Sequence, residues 1–337
     1  MMQIKKLIIN YLVSASNPAW KLDKKIKVAI AVNDYFTADQ WISIFTNCQI
    51  PEVANWDVVY CKNKIEVYRH FKDANICFIF GLGDFLINQV NIAKMVYFPL
   101  LGLEFLNRKT IPINLTIEQP PPFSAQSIAE YCLSMAIILT RNLHQTFENR
   151  FRKKWKQSNI LPLSVVSITQ CKIGVLGLGK VGKVIAVNFK NIGCAVIGCD
   201  LSKPNDVEFL SAFYSSDMLI DFISKIDILI ISLPLNESTT KIIDKIVIQK
   251  LGKNKYIINV SRGEIIDEQA LIQALSSNNL KGAALDVFIQ EPLPGNSPLY
   301  RCKNVILTPH IAGNINLFVN EIQQDFIHKA VTYSKNV

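Results

Sequence analysis

Short apolar runs alternate with amphipathic segments along most of this chain, beginning near residue 27. Continuous apolar runs are typical of buried parallel strands, whereas surface helices carry an apolar residue at every third or fourth position. Before residue 115 the two patterns alternate and predict a first α/β domain. Its predicted strands are 28–32, 57–60, 76–80 and 95–100, and its predicted helices are 38–45 and 64–71.

A second alternation of the same kind starts near residue 171. Because strands and helices again follow one another, we predict a doubly wound parallel sheet with helices on both faces. The predicted strands are 173–176, 195–199, 228–233, 256–260, 282–287 and 305–307, and the predicted helices are 180–192, 242–251 and 268–276. Two more helices are predicted outside this sheet, at about 127–144, where Ser127 and Glu130 match a capping box, and at about 316–333.

Three glycines follow the first strand of this second half at the spacing of a dinucleotide-binding turn. Gly177 permits a tight turn, Gly179 lets the backbone approach a pyrophosphate, and Gly182 lets the next helix pack on the strand. The N-terminus of that helix offers free N–H groups and a partial positive charge to phosphates. Lys180 and Val181, which stand between the last two glycines, complete the predicted phosphate loop.

Asp200 ends the second strand of this unit, eighteen residues beyond Gly182. Its carboxylate can accept hydrogen bonds from an adenosine ribose, and it would repel a 2′-phosphate. We therefore predict NAD as the cofactor, while the nearby Lys203 leaves NADP possible.

Composition adds few constraints. The 337 residues, 50% of them hydrophobic, predict two domains with ample cores. The formal net charge is +9, but the basic cluster at 150–156 lacks the spacing of a recognition helix or zinc finger, so we expect small anionic ligands and no nucleic acid. Eight cysteines without a C-x-x-C pair predict reduced thiols, no metal site and a cytoplasmic protein. No apolar run reaches membrane-spanning length, so we expect no membrane partner.

Polar and charged residues collect just beyond three predicted strands, at 259–263, 285–292 and 308–313. Ligands of open α/β sheets bind at this edge. Arg262 can hold the carboxylate of a 2-oxo acid through two parallel contacts, and His310 can donate a proton to the developing alkoxide. Glu291 would stabilise the imidazolium, and Asp286 would suit the carboxamide end of the cofactor. Taken singly, Arg262 could instead be a surface salt-bridge partner, Glu291 an N-cap or loop charge, and His310 a hydrogen-bonded histidine.

The segments GLGKVG, NVSRG, GAALDVFIQEPLP and TPHIAG together resemble the D-2-hydroxyacid dehydrogenase family of NAD-dependent oxidoreductases. EPLPGNSPLY followed by NVILTPH resembles its glyoxylate/hydroxypyruvate reductase branch. The resemblance implies a catalytic triad of Arg262, Glu291 and His310, with His310 as the acid/base. It also implies cofactor contacts at Leu233, Pro234, Val260, Ser261, Arg262, Asp286, His310, Ala312 and Gly313.

The resemblance further implies two Rossmann-like doubly wound domains with a cleft between them. A flavodoxin-like substrate domain would occupy residues 1–119, the NAD-binding domain 120–311, and a C-terminal helix at 312–337 would return to the substrate domain. A homodimer is usual in such proteins.

One loop departs from the family pattern. The substrate carboxylate is normally bound by the backbone of a loop that corresponds here to 100–104, which implies substrate contacts at Leu101, Gly102 and Leu103, but only Gly102 matches the pattern. Three functions therefore stay open: a reductase of glyoxylate or hydroxypyruvate, a reductase of a larger or phosphorylated acid, and a non-catalytic NAD-sensing protein resembling the dehydrogenase-like transcriptional corepressors.

Overall fold

The computed structural model describes residues 25–80, 92–99, 102, 111–112, 114–146, 155, 165–206 and 208–335. These residues form two parallel sheets, one of five strands and one of seven, each packed against helices. The predicted α/β fold with two doubly wound sheets is confirmed. None of the helices in the described ranges combines the length and the apolar composition needed to cross a membrane.

The five-stranded sheet has the order β2-β1-β3-β4-β5, the flavodoxin-like arrangement. Its strands are β1 Ile26–Ala31, β2 Trp56–Cys61, β3 Ile76–Phe78, β4 Met95–Tyr97 and β5 Thr116–Glu118, with helices α1 Ala38–Asn47 and α2 Lys64–Phe71. Strand β5 is absent from the sequence prediction because its three residues are only half-buried and form no apolar run.

The seven-stranded sheet has the order β12-β11-β10-β9-β6-β7-β8, a Rossmann arrangement extended by one strand. The strands are β6 Lys172–Leu176, β7 Ala195–Asp200, β8 Ala212–Ser215, β9 Ile228–Ile231, β10 Tyr256–Asn259, β11 Gly282–Leu285 and β12 Val305–Leu307. The helices are α3 Ala125–Thr140, α4 Lys180–Asn191, α5 Leu219–Ser224, α6 Lys245–Leu251 and α7 Glu268–Ser276. The sequence prediction lacks β8 and α5, a half-buried edge strand and a helix of six residues.

Successive residues of the central strands face opposite sides of this sheet. In β9, Ile228 and Ile230 pack on the side of α3 and α4, whereas Leu229 and Ile231 pack on the side of α5, α6 and α7. All four side chains are completely buried, and each such burial contributes about 1.5–3 kcal/mol. The strands therefore lie in a rigid layer, and their carboxyl ends provide fixed positions for the loops that follow.

The capping box predicted at Ser127 and Glu130 is wrong. Helix α3 begins at Ala125. A turn that follows the three prolines at 120–122 already directs the N–H of Ala125 to the carbonyl of Pro122. Ser127 therefore stands inside the first turn, and its hydroxyl donates to the carbonyl of Ala312 at 3.1 Å. The hydroxyl contributes to a contact between the helix and a distant loop rather than to the helix end.

The last helix, α8 Val319–Ser334, follows a 3-10 turn at Ile315–Phe318 and packs on the five-stranded sheet. Its Phe326 lies edge-on to Trp41, Phe78 and Tyr97 at centroid distances of 5.4, 5.3 and 5.5 Å. The chain thus leaves the seven-stranded sheet after β12 and ends on the first one.

Candidate active site

The glycine-rich turn lies at the carboxyl end of β6, beside β9, where the strand order of the large sheet reverses. Gly177 has a φ of +92°, a conformation that other residues rarely adopt. A Cβ on Gly182 would lie 1.9 Å from the carbonyl oxygen of Gly177, so the helix and the strand can meet only through a glycine. Gly179, in contrast, has open space around its Cα, on the side where a ligand could approach.

Asp200 lies beside this turn. Its two carboxylate oxygens accept the backbone N–H groups of Leu178 and Leu201, both at 2.6 Å. A cavity of about 310 Å³ adjoins it, lined by Leu178, Gly179, Lys180, Lys183, Asp200, Ser202 and Pro204. A carboxylate has about four acceptor positions, so Asp200 can still accept from a ribose hydroxyl.

These features fit a dinucleotide. The uncapped first turn of α4 offers N–H groups to a pyrophosphate, Gly179 leaves room for it, and the cavity beside Asp200 suits an adenosine ribose. Lys180 and Lys183 add positive charge to the same cavity.

Arg262 lies directly after β10, in a turn fixed by the neighbouring Asn259. The side-chain amide of Asn259, which is 1% exposed, accepts the N–H of Ser261 at 3.1 Å and donates to the carbonyl of Arg262 at 2.9 Å. Ser261 in turn donates its hydroxyl to the carbonyl of Leu233. The arginine itself is half-buried, and its Nη1 donates to the carbonyl of Ser261 at 2.7 Å.

Gly263 brings this turn against the loop that follows β11. A Cβ at this position would lie 2.0 Å from the carbonyl carbon of Phe288 and 2.3 Å from the nitrogen of Ile289. No side chain fits there. The backbones that carry Arg262 and Glu291 therefore touch through a glycine.

His310 and Glu291 form a close pair at the same edge of the sheet. The Nδ1 atom of His310 lies 2.7 Å from Oε2 of Glu291, and Oε1 of Glu291 accepts the N–H of Phe288 at 2.9 Å. The side chain of His310 is 49% exposed, and its Nε2 atom has no hydrogen bond within the part of the chain that the structure describes. One ring nitrogen is thus oriented by a carboxylate and the other is available to a ligand.

Asp286 accepts several hydrogen bonds from the segment that carries His310. Its Oδ1 accepts the hydroxyl of Thr308 at 2.6 Å and the N–H of Ile311 at 2.9 Å, and its Oδ2 accepts the N–H of Ala312 at 2.8 Å. The N–H of His310 donates to the carbonyl of Asp286 at 2.9 Å. Because the carboxylate is 1% exposed, the structure gives it a supporting role in this loop. Its contact with the cofactor carboxamide stays a prediction.

Comparisons with known proteins agree with these features. The sequence model of a family described as "D-isomer specific 2-hydroxyacid dehydrogenase, NAD binding domain" matches residues 133–312, more than half of the chain. The chain belongs to this family. It carries the family's NAD binding domain, with the glycine turn, Arg262, Glu291 and His310 inside the matched range.

Two curated relatives differ in their substrates. A glyoxylate reductase of Thermofilum pendens is 32% identical over 197 residues, which are 58% of this chain and 58% of the relative. A D-3-phosphoglycerate dehydrogenase of Methanocaldococcus jannaschii is 29% identical over 267 residues, 77% of this chain and 50% of the relative. The chain thus spans between half and three fifths of the length of these relatives.

The fold is that of solved members of the family. A D-isomer specific 2-hydroxyacid dehydrogenase from Xanthobacter autotrophicus Py2, solved with NADPH and MES, superposes with a TM-score of 0.71 at 23% identity. The match covers 88% of this chain and 95% of that chain.

The remaining predicted contacts of this family member lie around the same edge of the sheet. Leu233 and Pro234 follow β9, Val260 and Ser261 follow β10, and Ala312 and Gly313 follow His310. Of the substrate loop, Gly102 is described and half-buried, while Leu101 and Leu103 lie outside the described residues. The residues that the structure describes contain no group of three or more His, Cys, Asp or Glu that could hold a metal ion.

The sequence prediction missed the residues that hold the site together. Asn259 and Gly263 lie inside the NVSRG segment, and their position beside Arg262 was the available signal. Thr308 likewise opens the segment that carries His310. Tyr131 and Ser127 are distant in sequence, and no local pattern connects them with that loop.

Proposed function

We propose that this chain is an NAD(H)-dependent oxidoreductase that reduces a small 2-oxo acid to a D-2-hydroxy acid. The observation that carries the proposal is the His310–Glu291 pair, with a Nδ1–Oε2 distance of 2.7 Å, at the carboxyl edge of the sheet that also carries the dinucleotide turn. A histidine oriented by a carboxylate beside a nicotinamide is suited to proton transfer.

Each residue would have one task. When bound, NADH supplies the hydride that reduces the carbonyl carbon. Arg262 binds the substrate carboxylate and polarises the adjacent carbonyl. Before the transfer, Glu291 accepts a hydrogen bond from the Nδ1–H of His310 and balances the charge of the imidazolium. His310 then donates its Nε2 proton to the carbonyl oxygen. The product gains one hydride and one proton, and His310 is reprotonated from solvent.

The substrate is proposed to be small, of the glyoxylate or hydroxypyruvate type, as in the Thermofilum relative. The Methanocaldococcus relative supports a second candidate, a phosphorylated 2-hydroxy acid, because its similarity extends over 77% of the chain. For the cofactor we favour NAD, since the carboxylate of Asp200, which lines the cavity beside the glycine turn, would repel a 2′-phosphate. NADP is the alternative, and the solved relative holds NADPH.

The decisive experiment is a panel of 2-oxo acids with NADH and, in parallel, NADPH. Glyoxylate and hydroxypyruvate come first, followed by pyruvate and by larger and phosphorylated acids. We expect turnover with NADH on at least one of them. His310→Ala should lower kcat about 10²–10⁴-fold, because general acid catalysis contributes that much, while NADH binding is retained. Tyr333→Phe, which removes a hydroxyl bonded to Glu118 in the other sheet, is the matched control.

If NADH binds but no 2-oxo acid of the panel is turned over, the proposed activity is contradicted. This result would favour the alternative of a non-catalytic NAD-sensing protein, which the departure of residues 100–104 from the family's sequence pattern suggests. Turnover that His310→Ala leaves unchanged would contradict the role of His310.

The domain limits 1–119, 120–311 and 312–337, a homodimer and a cytoplasmic location complete the proposal. All eight cysteines are free thiols, and burial raises the pKa of Cys199 to about 12. Six of the eight are buried, and thiols buried in apolar surroundings are unreactive, which supports a reducing compartment. Size-exclusion chromatography with light scattering tests the dimer.

A further inference from the structure

Two hydroxyl groups of helix α3 contact both ends of the segment that carries His310. Ser127 donates to the carbonyl of Ala312 at 3.1 Å, and the phenol of Tyr131 lies 2.6 Å from the hydroxyl of Thr308. Residues four positions apart lie on the same helix face, so one surface of α3 meets the segment both before and after His310.

The hydrogen bonds between Tyr131 and Asp286 run in one direction. The single hydroxyl proton of Thr308 goes to Oδ1 of Asp286 at 2.6 Å. Tyr131 must therefore be the donor to Thr308. Burial raises the pKa of Tyr131, which keeps the phenol protonated and able to donate.

These hydrogen bonds end on the carboxylate of Asp286, which also binds the two amides that follow His310. Asp286 accepts the N–H groups of Ile311 and Ala312 at 2.9 and 2.8 Å. His310 itself has a φ of +54°, in the left-handed region that a residue with a side chain adopts only when its surroundings impose it. The conformation of His310 thus depends on contacts made by its neighbours.

Helix α3 does not need these hydroxyls for its own packing. Its apolar residues Ile128, Ala129, Cys132, Ala136 and Leu139 are buried against the large sheet and α4. Gln126 of α3 also exchanges hydrogen bonds with Asn188 of α4, at 3.1 and 3.3 Å. The helix therefore has a fixed position, and its hydroxyl groups can hold the His310 segment in place.

We propose that Tyr131 and Ser127 are positioning residues that set the location of the His310 ring through Thr308, Asp286 and Ala312. The inference rests on the proposed role of His310 as acid/base. Both residues act through the backbone of 308–312.

The test compares Tyr131→Phe, Ser127→Ala and Ser127→Thr with wild type, and Tyr333→Phe serves as the control that loses a tyrosine hydroxyl elsewhere. We expect Tyr131→Phe and Ser127→Ala each to lower kcat about three- to tenfold, the factor that one hydrogen bond is worth, with an unchanged KM for NADH. Ser127→Thr should restore kcat because it restores the hydroxyl.

Two further readouts separate positioning from general destabilisation. Deuterium uptake should accelerate in peptides covering 308–313 of Tyr131→Phe and stay unchanged in those covering 172–200. The pH profile of kcat should also shift in Tyr131→Phe, because a displaced His310 no longer meets Glu291 at the same distance. In a Thr308→Val background, Tyr131→Phe should have no additional effect, since the two act in series.

The outcomes distinguish this inference from the proposed function. If wild type turns over and His310→Ala does not, but Tyr131→Phe and Ser127→Ala match wild type in kcat and deuterium uptake, the inference alone is overturned. If His310→Ala is as active as wild type, the proposed role of His310 as acid/base fails and the inference fails with it.

Discussion

The cofactor turn and the catalytic edge of this chain are built in opposite ways. The turn belongs largely to one continuous unit, β6-α4-β7, where Gly182 meets Gly177 and Asp200 accepts the N–H of Leu178, and outside that unit it lies against the residues that follow β9, Ser232 and Leu233. The catalytic edge combines three loops, after β10, β11 and β12, and two hydroxyls from α3. A site within one unit is rigid once that unit folds, whereas a combined site depends on each contact between its parts.

Substitutions in the two regions should therefore have different effects. A substitution in the cofactor turn should change the affinity for the dinucleotide and leave the chemistry intact. A substitution at a contact between catalytic loops should change kcat and leave dinucleotide affinity intact, since a misplacement of about 1 Å can cost about 10²-fold. Four substitutions test this separation.

Gly263→Ala should lower kcat about 10²-fold, because its Cβ would meet the Phe288 backbone at 2.0 Å and push the Arg262 and Glu291 loops apart. Affinity for NADH, measured by fluorescence titration, should stay within about twofold. Gly295→Ala is the matched control: it lies in the same loop region, with open space around its Cα. Wild-type kcat in Gly263→Ala with an intact thermal transition would show that the loop contact is not needed.

Arg262→Lys should lower kcat/KM for the 2-oxo acid about 50-fold. Lysine keeps the charge but loses the two-pronged contact with the carboxylate, and charge-assisted hydrogen bonds contribute about 1.5–3 kcal/mol each. Steady-state kinetics with the best substrate of the panel measures the effect. An unchanged kcat/KM would remove Arg262 from the substrate site.

Glu291→Gln should lower kcat about tenfold, with little change in KM for either substrate. The amide keeps a polar group 2.7 Å from Nδ1 of His310 but no longer balances the charge of the imidazolium. The pH profile of kcat should change with it. A variant with a lower affinity for NADH and a normal kcat would assign Glu291 to the cofactor site instead.

Asp200→Ala should weaken NADH binding about five- to tenfold, the value of one to two hydrogen bonds to the ribose, and leave kcat at saturating NADH unchanged. The ratio of NADPH to NADH affinity should rise, because a negative charge near the 2′-phosphate is removed. A fall in kcat at saturation would contradict the separation between the two regions.

Much of the fold could be predicted because its signals are local. Central strands such as β9 and β10 are buried on both faces and therefore read as apolar runs. The predicted limits of α7 and β12 match the structure, while β5, β8 and α5 were missed because short, half-buried elements carry no such pattern. The start of α3 was misjudged because Ser127 satisfies a capping pattern by composition alone, and the turn after the prolines had already begun the helix.

Within the candidate site, residue types that carry chemistry could be predicted and residues that hold them could not. Arg262, Glu291 and His310 stand out because they lie in the segments that follow three predicted strands, at the sheet edge where ligands of open α/β sheets bind. Their roles stay predictions, although His310 and Glu291 lie within hydrogen-bonding distance. Tyr131 resembles any half-buried aromatic residue of an amphipathic helix, and its contact with Thr308 spans 177 residues of sequence.

The two parallel sheets, the dinucleotide turn and the three loops with charged residues could be predicted because each is encoded by neighbouring residues. Three features are visible only in the folded chain: Gly263 joins two of these loops, Asp286 binds the His310 segment, and Ser127 and Tyr131 contact that segment from α3. These contacts arise where separate strands and helices meet. Their geometry depends on how whole elements pack, which no local pattern of residues specifies.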